Sequence, residues 1–236
     1  MIQIRTHHAR WLCLATLGSL VGSASAGALY FEDFETGPAA SGGNYTLTSE
    51  FINSSLNSHF VSTSTSTSIR SQYSTTSPDG DFISARNSNA SSTEPTPTLT
   101  TASFDIYNIT SLLFSFDLSR RSDGDVWAQT SRVDFDYSID SGDWLSLTTV
   151  DTDGVDPGTP HFFGTNVNAT FENFTTTLNG LSGDSMQLRI TWADLGPGDS
   201  FAVDNITVAA VPLPPAVFGG LGLLGGLLVA RRLRQS

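Results

Sequence analysis

The sequence contains no lysine in 236 residues and only one cysteine, Cys13. The absence of lysine excludes Schiff-base chemistry and phosphate-binding loops that depend on a lysine. Cys13 lies in an apolar N-terminal segment and follows Arg10, Trp11 and Leu12, where a lipid-attachment motif would have small residues. Without that segment the chain has no thiol, so it forms no disulfide and offers no cysteine ligand or nucleophile.

The common catalytic motifs are also missing. His59 and His161 are the only histidines after residue 26; they are far apart, and the sequence has neither HExxH nor G-x-S-x-G. Glu32, Asp33 and Glu35 are the acids that could supply a glycosidase pair, because alternate residues of a strand share a face. Calcium binding or solubility explains these acids more simply. We therefore expect no enzyme, with a secreted polysaccharide-acting hydrolase as the alternative.

Charge is divided into three blocks along the chain. The first 26 residues carry two arginines and no acid, and three arginines lie in the last six residues. Between Gly27 and Val211, all 23 acidic residues meet six arginines, which gives a formal net charge of −17. Such a domain repels phosphate backbones, so nucleic acid is excluded as a partner, while cations and neutral sugars are not.

The N-terminal 26 residues predict a signal peptide. Arg5 and Arg10 precede an almost wholly apolar run from Trp11 to Val21, and Ala24-Ser25-Ala26 supplies the small residues of a cleavage site. The apolar run is shorter than the roughly 20 residues that span a bilayer, which argues against a permanent helix. We expect cleavage after Ala26 and export of the remainder.

Residues 211–236 predict a short C-terminal hydrophobic helix. They begin with Val211, Pro212, Leu213 and Pro214, continue with an apolar stretch, Ala216 to Ala230, and end with an arginine cluster. Basic residues after the helix would stay in the cytoplasm. The order of proline motif, apolar helix and arginines resembles the PEP-CTERM sorting signal, although Pro-Leu-Pro replaces Pro-Glu-Pro.

That resemblance implies an exosortase-type sorting enzyme as a partner. It also implies transient anchoring in the inner membrane through the helix, followed by a place at the cell surface or in the extracellular matrix. An ordinary tail anchor is the alternative.

Residues 27–210 predict one acidic all-β domain. Val133, Phe135, Tyr137 and Ile139 alternate with polar residues, and the turn residues 141–143 separate them from a second run that starts at Trp144. This pattern indicates a hairpin. Further strands are predicted at Leu29–Phe34, Ile69–Tyr73, Asp81–Arg86, Leu99–Ile106, Leu112–Leu118, Ala169–Leu178, Met186–Trp192 and Phe201–Val208. About ten strands suit a two-sheet β-sandwich.

Three segments resemble the jelly-roll domains of carbohydrate-binding modules. They are Asp33 to Gly37, the hairpin FDYSIDSGDWLSL, and LRITW followed by FAVDNITV. The resemblance implies a jelly-roll-like sandwich that binds glycans without catalysis or has a structural role. It further implies a structural Ca²⁺ between an early acid and an acid of the last strand, and the matching positions are Glu35 and Asp204.

Asp151, Asp153 and Asp156, with Gly154, form a second calcium candidate. Alternating acids followed by a glycine resemble the opening of a calcium loop. The distal glutamate is missing, because Phe162 occupies its position. Asp-Gly is also a common turn sequence, so a plain turn is the alternative.

Tryptophan side chains are candidates for stacking against sugar rings. Trp127 follows the polar loop Asp123-Gly124-Asp125, so we expect it to be exposed and to bind ligand. Trp144 and Trp192 lie at strand ends and are expected in the core.

Deletion of residues 211–236 tests the predicted anchor. Without the apolar helix nothing holds the exported chain in the membrane, so we expect the truncated protein in the culture medium and the full chain in the cell fraction. Immunoblots of both fractions measure this. A truncated chain that stays with the cells would show that the anchor lies elsewhere.

Overall fold

Alternating apolar and polar residues place this chain in extended strands with one buried face. The computed structural model describes residues 27–35, 44–48, 50–53, 58–62, 73, 80–88, 96–121, 127–155, 158–196 and 198–212. The predicted signal peptide and the predicted C-terminal helix lie outside the described residues. Within them, no helix has the length and apolarity needed to cross a membrane.

The described part of the chain forms fifteen strands and no helix. They are β1 (Ala28–Glu32), β2 (Tyr45–Leu47), β3 (Phe51–Asn53), β4 (Ser58–Ser62), β5 (Ile83–Arg86), β6 (Thr98–Thr101), β7 (Phe104–Asp105), β8 (Ser111–Ser119), β9 (Arg132–Ile139), β10 (Leu145–Val150), β11 (His161–Phe162), β12 (Thr165–Asn166), β13 (Glu172–Asn179), β14 (Ser185–Ala193) and β15 (Ser200–Ala210).

The strands form two main antiparallel sheets. The seven-stranded sheet has the order β13-β8-β15-β5-β4-β3, with β1 also paired to β15. The six-stranded sheet has the order β10-β9-β14-β6-β2, with β7 also paired to β14. The chain crosses repeatedly from one sheet to the other: β8, β13 and β15 lie in the seven-stranded sheet, and β9 and β14 lie in the six-stranded sheet. This confirms the predicted all-β, jelly-roll-like sandwich.

The core lies between the inner faces of the two sheets. Phe116 of β8 packs edge-on against Phe135 of β9, with ring centroids 5.1 Å apart. Each fully buried aromatic or aliphatic side chain of this kind contributes roughly 1.5–3 kcal/mol. The inner faces of the longest strands are uniformly apolar: β8 contributes Leu112, Phe114, Phe116 and Leu118, and β14 contributes Met186, Leu188, Ile190 and Trp192.

The β9–β10 hairpin confirms the strongest strand prediction but turns one residue earlier than expected. Asp140 and Ser141 both have positive φ (51° and 59°), and the Gly142 amide donates to the Ile139 carbonyl. These are features of a primed turn, which matches the twist of the flanking strands. The Asp140 carboxylate accepts hydrogen bonds from the amides of Asp184 and Ser185, which lower its pKa and tie the hairpin to the start of β14.

The outer face of the seven-stranded sheet carries a buried polar cluster of His59, Ser84 and Tyr73. The His59 Nε2 atom lies 2.8 Å from the Ser84 hydroxyl, and the Tyr73 hydroxyl lies 2.6 Å from the same oxygen. Burial, together with the positive charges of Arg86 and Arg121, lowers the pKa of His59 to about 3. The imidazole is therefore neutral in the folded protein at ordinary pH.

His59 makes folding pH-dependent. Between its ordinary pKa of 6.5 and the folded value of about 3, the unfolded chain binds a proton that the folded chain does not. The free energy of unfolding therefore falls as the pH is lowered through this window, by up to about 1.4 kcal/mol per pH unit from this group. In urea unfolding at pH 7, 6, 5 and 4, the free energy of unfolding should fall less steeply for His59→Gln than for the wild type. The variant His161→Gln is the control, and parallel pH profiles for wild type and His59→Gln would contradict the assignment.

Candidate functional site

The outer face of the six-stranded sheet presents polar side chains in register across five strands. Ser146, Asp136, Arg189, Thr100 and Thr46 are successive cross-strand partners on β10, β9, β14, β6 and β2. Asp136 and Arg189 lie between buried or partly buried apolar residues of β9 and β14, so alternation on these strands places the row on the outside. We call the outer face of these five strands the polar face.

Trp144 lies on the polar face and not in the core. The Arg189 guanidinium carbon is 4.4 Å from the centroid of the Trp144 ring, a cation–π contact. Arg189 also donates through Nη2 and Nε to one Asp136 oxygen, at 2.7 and 3.2 Å. The prediction of a core position for Trp144 is therefore wrong, because the residue precedes β10 and its half-buried ring packs on an outward-facing arginine.

A second row on the polar face is also hydrogen-bonded. Asp134 accepts a hydrogen bond from the Thr149 hydroxyl at 2.9 Å and pairs with Arg132 Nε at 3.2 Å. Both arginines of this face thus have an aspartate partner, so the surface carries hydrogen-bonding groups without an excess of positive charge. Strands hold these groups more rigidly than loops would. The arrangement suits an uncharged ligand with many hydroxyl groups and an apolar face.

Trp127 is buried, and the prediction that it is exposed is wrong. Its ring has no exposed surface and packs edge-on against Phe201, with centroids 5.7 Å apart. Its backbone pairs with Gly158 in both directions, at 2.7 and 2.9 Å. The next amide, that of Ala128, donates to the buried Asp199 carboxylate just before β15. These contacts hold Trp127 in the core. Trp192 is fully buried, as expected.

Glu35 and Asp204, the predicted calcium ligands, have different environments. Glu35 is exposed, and its Oε1 accepts a hydrogen bond from the Asp81 amide at 2.8 Å. Asp204 is fully buried in β15, and its Oδ1 accepts from the Asn205 amide at 2.8 Å. Directly opposite Asp204 on β8 is a second buried carboxylate, Asp117.

Oxygen atoms of the type that calcium prefers therefore lie close together where β8 and β15 pair. Asp117 accepts hydrogen bonds from the side-chain amides of Asn173 and Asn205, at 2.7 and 2.9 Å. The side-chain oxygen of Asn205 is buried and has no hydrogen-bond partner. Two carboxylates and an amide oxygen fit a calcium shell in chemistry but fall short of its six to eight ligands. Among the described residues, no three His, Cys, Asp or Glu side chains are grouped to hold a metal ion.

The second calcium candidate forms a turn. Asp151 Oδ1 accepts the Asp153 amide at 2.8 Å, and Asp153 and Gly154 have φ values of 51° and 79°. The Asp153 carboxylate lies 3.2 Å from His161 Nδ1. Asp156 lies outside the described residues. The two described carboxylates therefore have partners already, in the arrangement of an Asp-Gly turn.

The acids considered for a glycosidase pair bind backbone amides. The two oxygens of Glu32 accept hydrogen bonds from the amides of Phe34 and Asn44, at 2.9 and 3.1 Å. Burial raises the pKa of Glu32. Asp33 Oδ1 accepts the Glu35 amide at 3.2 Å. Glu32 and Asp33 therefore stabilise the backbone after β1 by accepting hydrogen bonds from its amides.

The chain has loose structural similarity to several solved domains. No sequence-family model and no curated protein matches it. The K1 cleaved adhesin domain of Lys-gingipain from Porphyromonas gingivalis W83 has a TM-score of 0.45 at 14% identity, over 79% of this chain and 100% of that one. The CBM22-1 xylan-binding domain of Paenibacillus barcinonensis Xyn10C has a TM-score of 0.43 at 10% identity, over 80% and 97%.

The carbohydrate-binding module CBM6cm-2 of Cellvibrio mixtus lichenase 5A, solved with cellotriose, has a TM-score of 0.40 at 12% identity, over 78% and 99%. Because all three TM-scores are below 0.5, the assignment of the fold rests on the two sheets themselves.

Proposed function

We propose that this chain is an exported surface or extracellular-matrix protein whose sandwich binds a neutral glycan without cleaving it. The main support for this proposal is that Trp144, Arg189 and Asp136 lie together on the polar face. An aromatic ring fixed beside hydrogen-bonding groups is the usual composition of a sugar-binding surface. The polar face supplies these groups on a rigid sheet.

The charges of the polar face favour neutral over acidic polysaccharide. Arg189 is already paired with Asp136, and Arg132 with Asp134, so neither guanidinium is left to neutralise a uronate or sulfate. The domain as a whole has a formal charge of −17 between residues 27 and 211, which repels polyanions. The hydroxyls of threonines and the carboxylates can instead bond to sugar hydroxyls, while the exposed part of the half-buried Trp144 ring contacts apolar C–H groups.

The proposed route to the surface uses both chain ends. The predicted signal peptide, residues 1–26, would start export, and the tail, residues 211–236, would be read by an exosortase-type enzyme. Val211 donates its amide to the Ser111 carbonyl at 3.0 Å, and both Val211 and Pro212 are exposed. An exposed proline shortly after β15 is accessible to a processing enzyme, which supports this route. Leu213 and Pro214 lie outside the described residues.

Polysaccharide binding by the purified chain tests the proposed function. We expect retention by at least one neutral polysaccharide in affinity electrophoresis, and weaker retention by acidic ones. Trp144→Ala should reduce affinity about tenfold or more, or roughly 1.4 kcal/mol, because the aromatic ring of the proposed site is lost. The matched control is Tyr107→Ala, which removes an exposed aromatic that lies outside the five strands of the polar face.

Two results would contradict this proposal. One is binding that Trp144→Ala leaves unchanged. The other is steady release of reducing sugar from the bound polysaccharide, which would favour the hydrolase alternative.

We also propose a structural calcium ion beside Asp204. Asp204 and Asp117 are buried carboxylates on directly paired residues, and like charges in that position repel. A cation between β8 and β15 would offset the repulsion and use the Asn205 side-chain oxygen, which has no hydrogen-bond partner. Glu35, the partner predicted from the sequence, bonds to Asp81 instead, so Asp117 is the better second ligand.

Removal of calcium tests this site. If calcium at one hundred times its Kd stabilises the fold by about 2.7 kcal/mol, EDTA should lower Tm by about 5–10 °C, and excess Ca²⁺ should restore it. Asp204→Asn should abolish this calcium dependence, whereas Asp153→Asn, in the turn at the second candidate, should retain it. Equal melting temperatures in EDTA and in calcium would exclude the ion.

A further inference from the structure

We propose that the edge of β13 that pairs with no described strand joins the same edge of a second copy of this chain, so that two sandwiches share one continuous antiparallel sheet. This contact is separate from the polar face, because β13 belongs to the other sheet. It does not depend on glycan binding.

β13 is long and regular. All eight of its residues pair with β8 without a register shift, from Glu172 opposite Leu118 to Asn179 opposite Ser111. β13 ends the seven-stranded sheet, so every second residue turns its N–H and C=O groups outward. A strand of this kind is a template for another strand.

The other edges within the described ranges are short or irregular. β2 and β3 have three residues each, and β7 has two. β1 and β10 are longer but carry register shifts, between Ala28 and Tyr30 and between Ser146 and Thr148. Short edges and bulges are devices that prevent strand addition. In the described part of the chain, β13 is the one long edge that lacks them.

The composition of β13 also favours pairing. Its sequence, ENFTTTLN, has no proline, no glycine, no basic residue and one acid, Glu172. Both Glu172 oxygens accept hydrogen bonds from the Asn168 side chain, at 2.9 and 3.0 Å, which holds the carboxylate at the end of the strand. Uncharged segments rich in β-forming residues are the ones that add to other strands. In a domain with a net charge of −17, this edge is a place where two copies can approach.

The edge is self-complementary. In an antiparallel pair with its two-fold axis near Thr175, Glu172 of one copy lies beside the Leu178–Asn179 end of the other. The two Glu172 residues are then about 20 Å apart along the strands. That distance exceeds the screening length of about 8 Å at physiological salt, so their repulsion is small. The threonines near the axis face one another and can pack or hydrogen-bond across the two-fold.

Charge substitution at Thr175 tests the pairing. Thr175 is exposed, so a charged side chain there is compatible with the folded sheet. We expect the full chain, purified in detergent, to sediment as a dimer, and Thr175→Lys or Thr175→Asp alone to raise the dimer Kd at least tenfold through repulsion at the axis. An equimolar mixture of the two variants should restore the dimer. Thr165→Lys and Thr165→Asp, exposed on β12, are the matched controls and should leave the Kd unchanged.

Three results would overturn the proposal. The first is a wild-type chain that is monomeric at all concentrations. The second is a dimer that both Thr175 variants leave intact, which would place the contact elsewhere, for example in the C-terminal segment. The third is a mixture of the variants that fails to re-form the dimer although each variant has the circular dichroism spectrum of the wild type.

Discussion

The pairing of β14 with β9 aligns the central strands of the six-stranded sheet. Eight consecutive residue pairs join the two strands, from Met186 opposite Ile139 to Ala193 opposite Arg132. This register directs Phe135 and Ile190 into the core and, on the other side, places Arg189 beside Asp136. A slip of one residue would exchange the two faces and bury the arginine. Core packing and the polar face are thus set by the same register.

The outer faces of the two sheets differ in how far they are covered. The polar face of the six-stranded sheet is open enough for Arg189 to retain 30% of its side-chain exposure. The outer face of the seven-stranded sheet is partly covered by a second apolar cluster that includes Val61, Tyr73 and Phe82. His59 lies beside this cluster, because its imidazole and the Tyr73 hydroxyl contact the same Ser84 oxygen, and it is buried although it does not point into the main core. Buried polar groups on that face need hydrogen-bond partners within the protein, whereas groups on the polar face can form hydrogen bonds with a ligand.

Much of the sheet structure could be predicted from the sequence because its long strands alternate strictly. The segments that became β8, β9, β14 and β15 have clear period-two patterns and were predicted within a few residues. The segments of β2, β3 and β4 are too short to show a clear period-two pattern, and they are extended because β2 pairs with β6, β3 with β4 and β4 with β5. The predicted strand Leu99–Ile106 divides into β6 and β7, because each half pairs with a different part of β14.

The candidate site could not be predicted in the same way. Asp136 and Arg189 are 53 residues apart in sequence, and only the strand register brings them together. Trp127 was expected to be exposed and is buried, whereas Trp144 was expected in the core and lies on the polar face. The polarity of neighbouring residues in sequence does not show what a side chain contacts in the fold. Trp127 follows a polar loop but meets Phe201, whereas Trp144 opens an apolar run but meets Arg189. The alternation of Asp134 and Asp136 was the one visible sign of a charged outer face.

Side-chain NMR can show whether a ligand binds on the polar face. During titration with a neutral oligosaccharide that the chain retains, the indole N–H signal of Trp144 and the Nε–H signal of Arg189 should shift together. The indole signals of the buried Trp127 and Trp192 should stay in place. Shifts confined to Trp127, Trp192 or the cluster around His59, with Trp144 and Arg189 unchanged, would show that the ligand does not bind on the polar face.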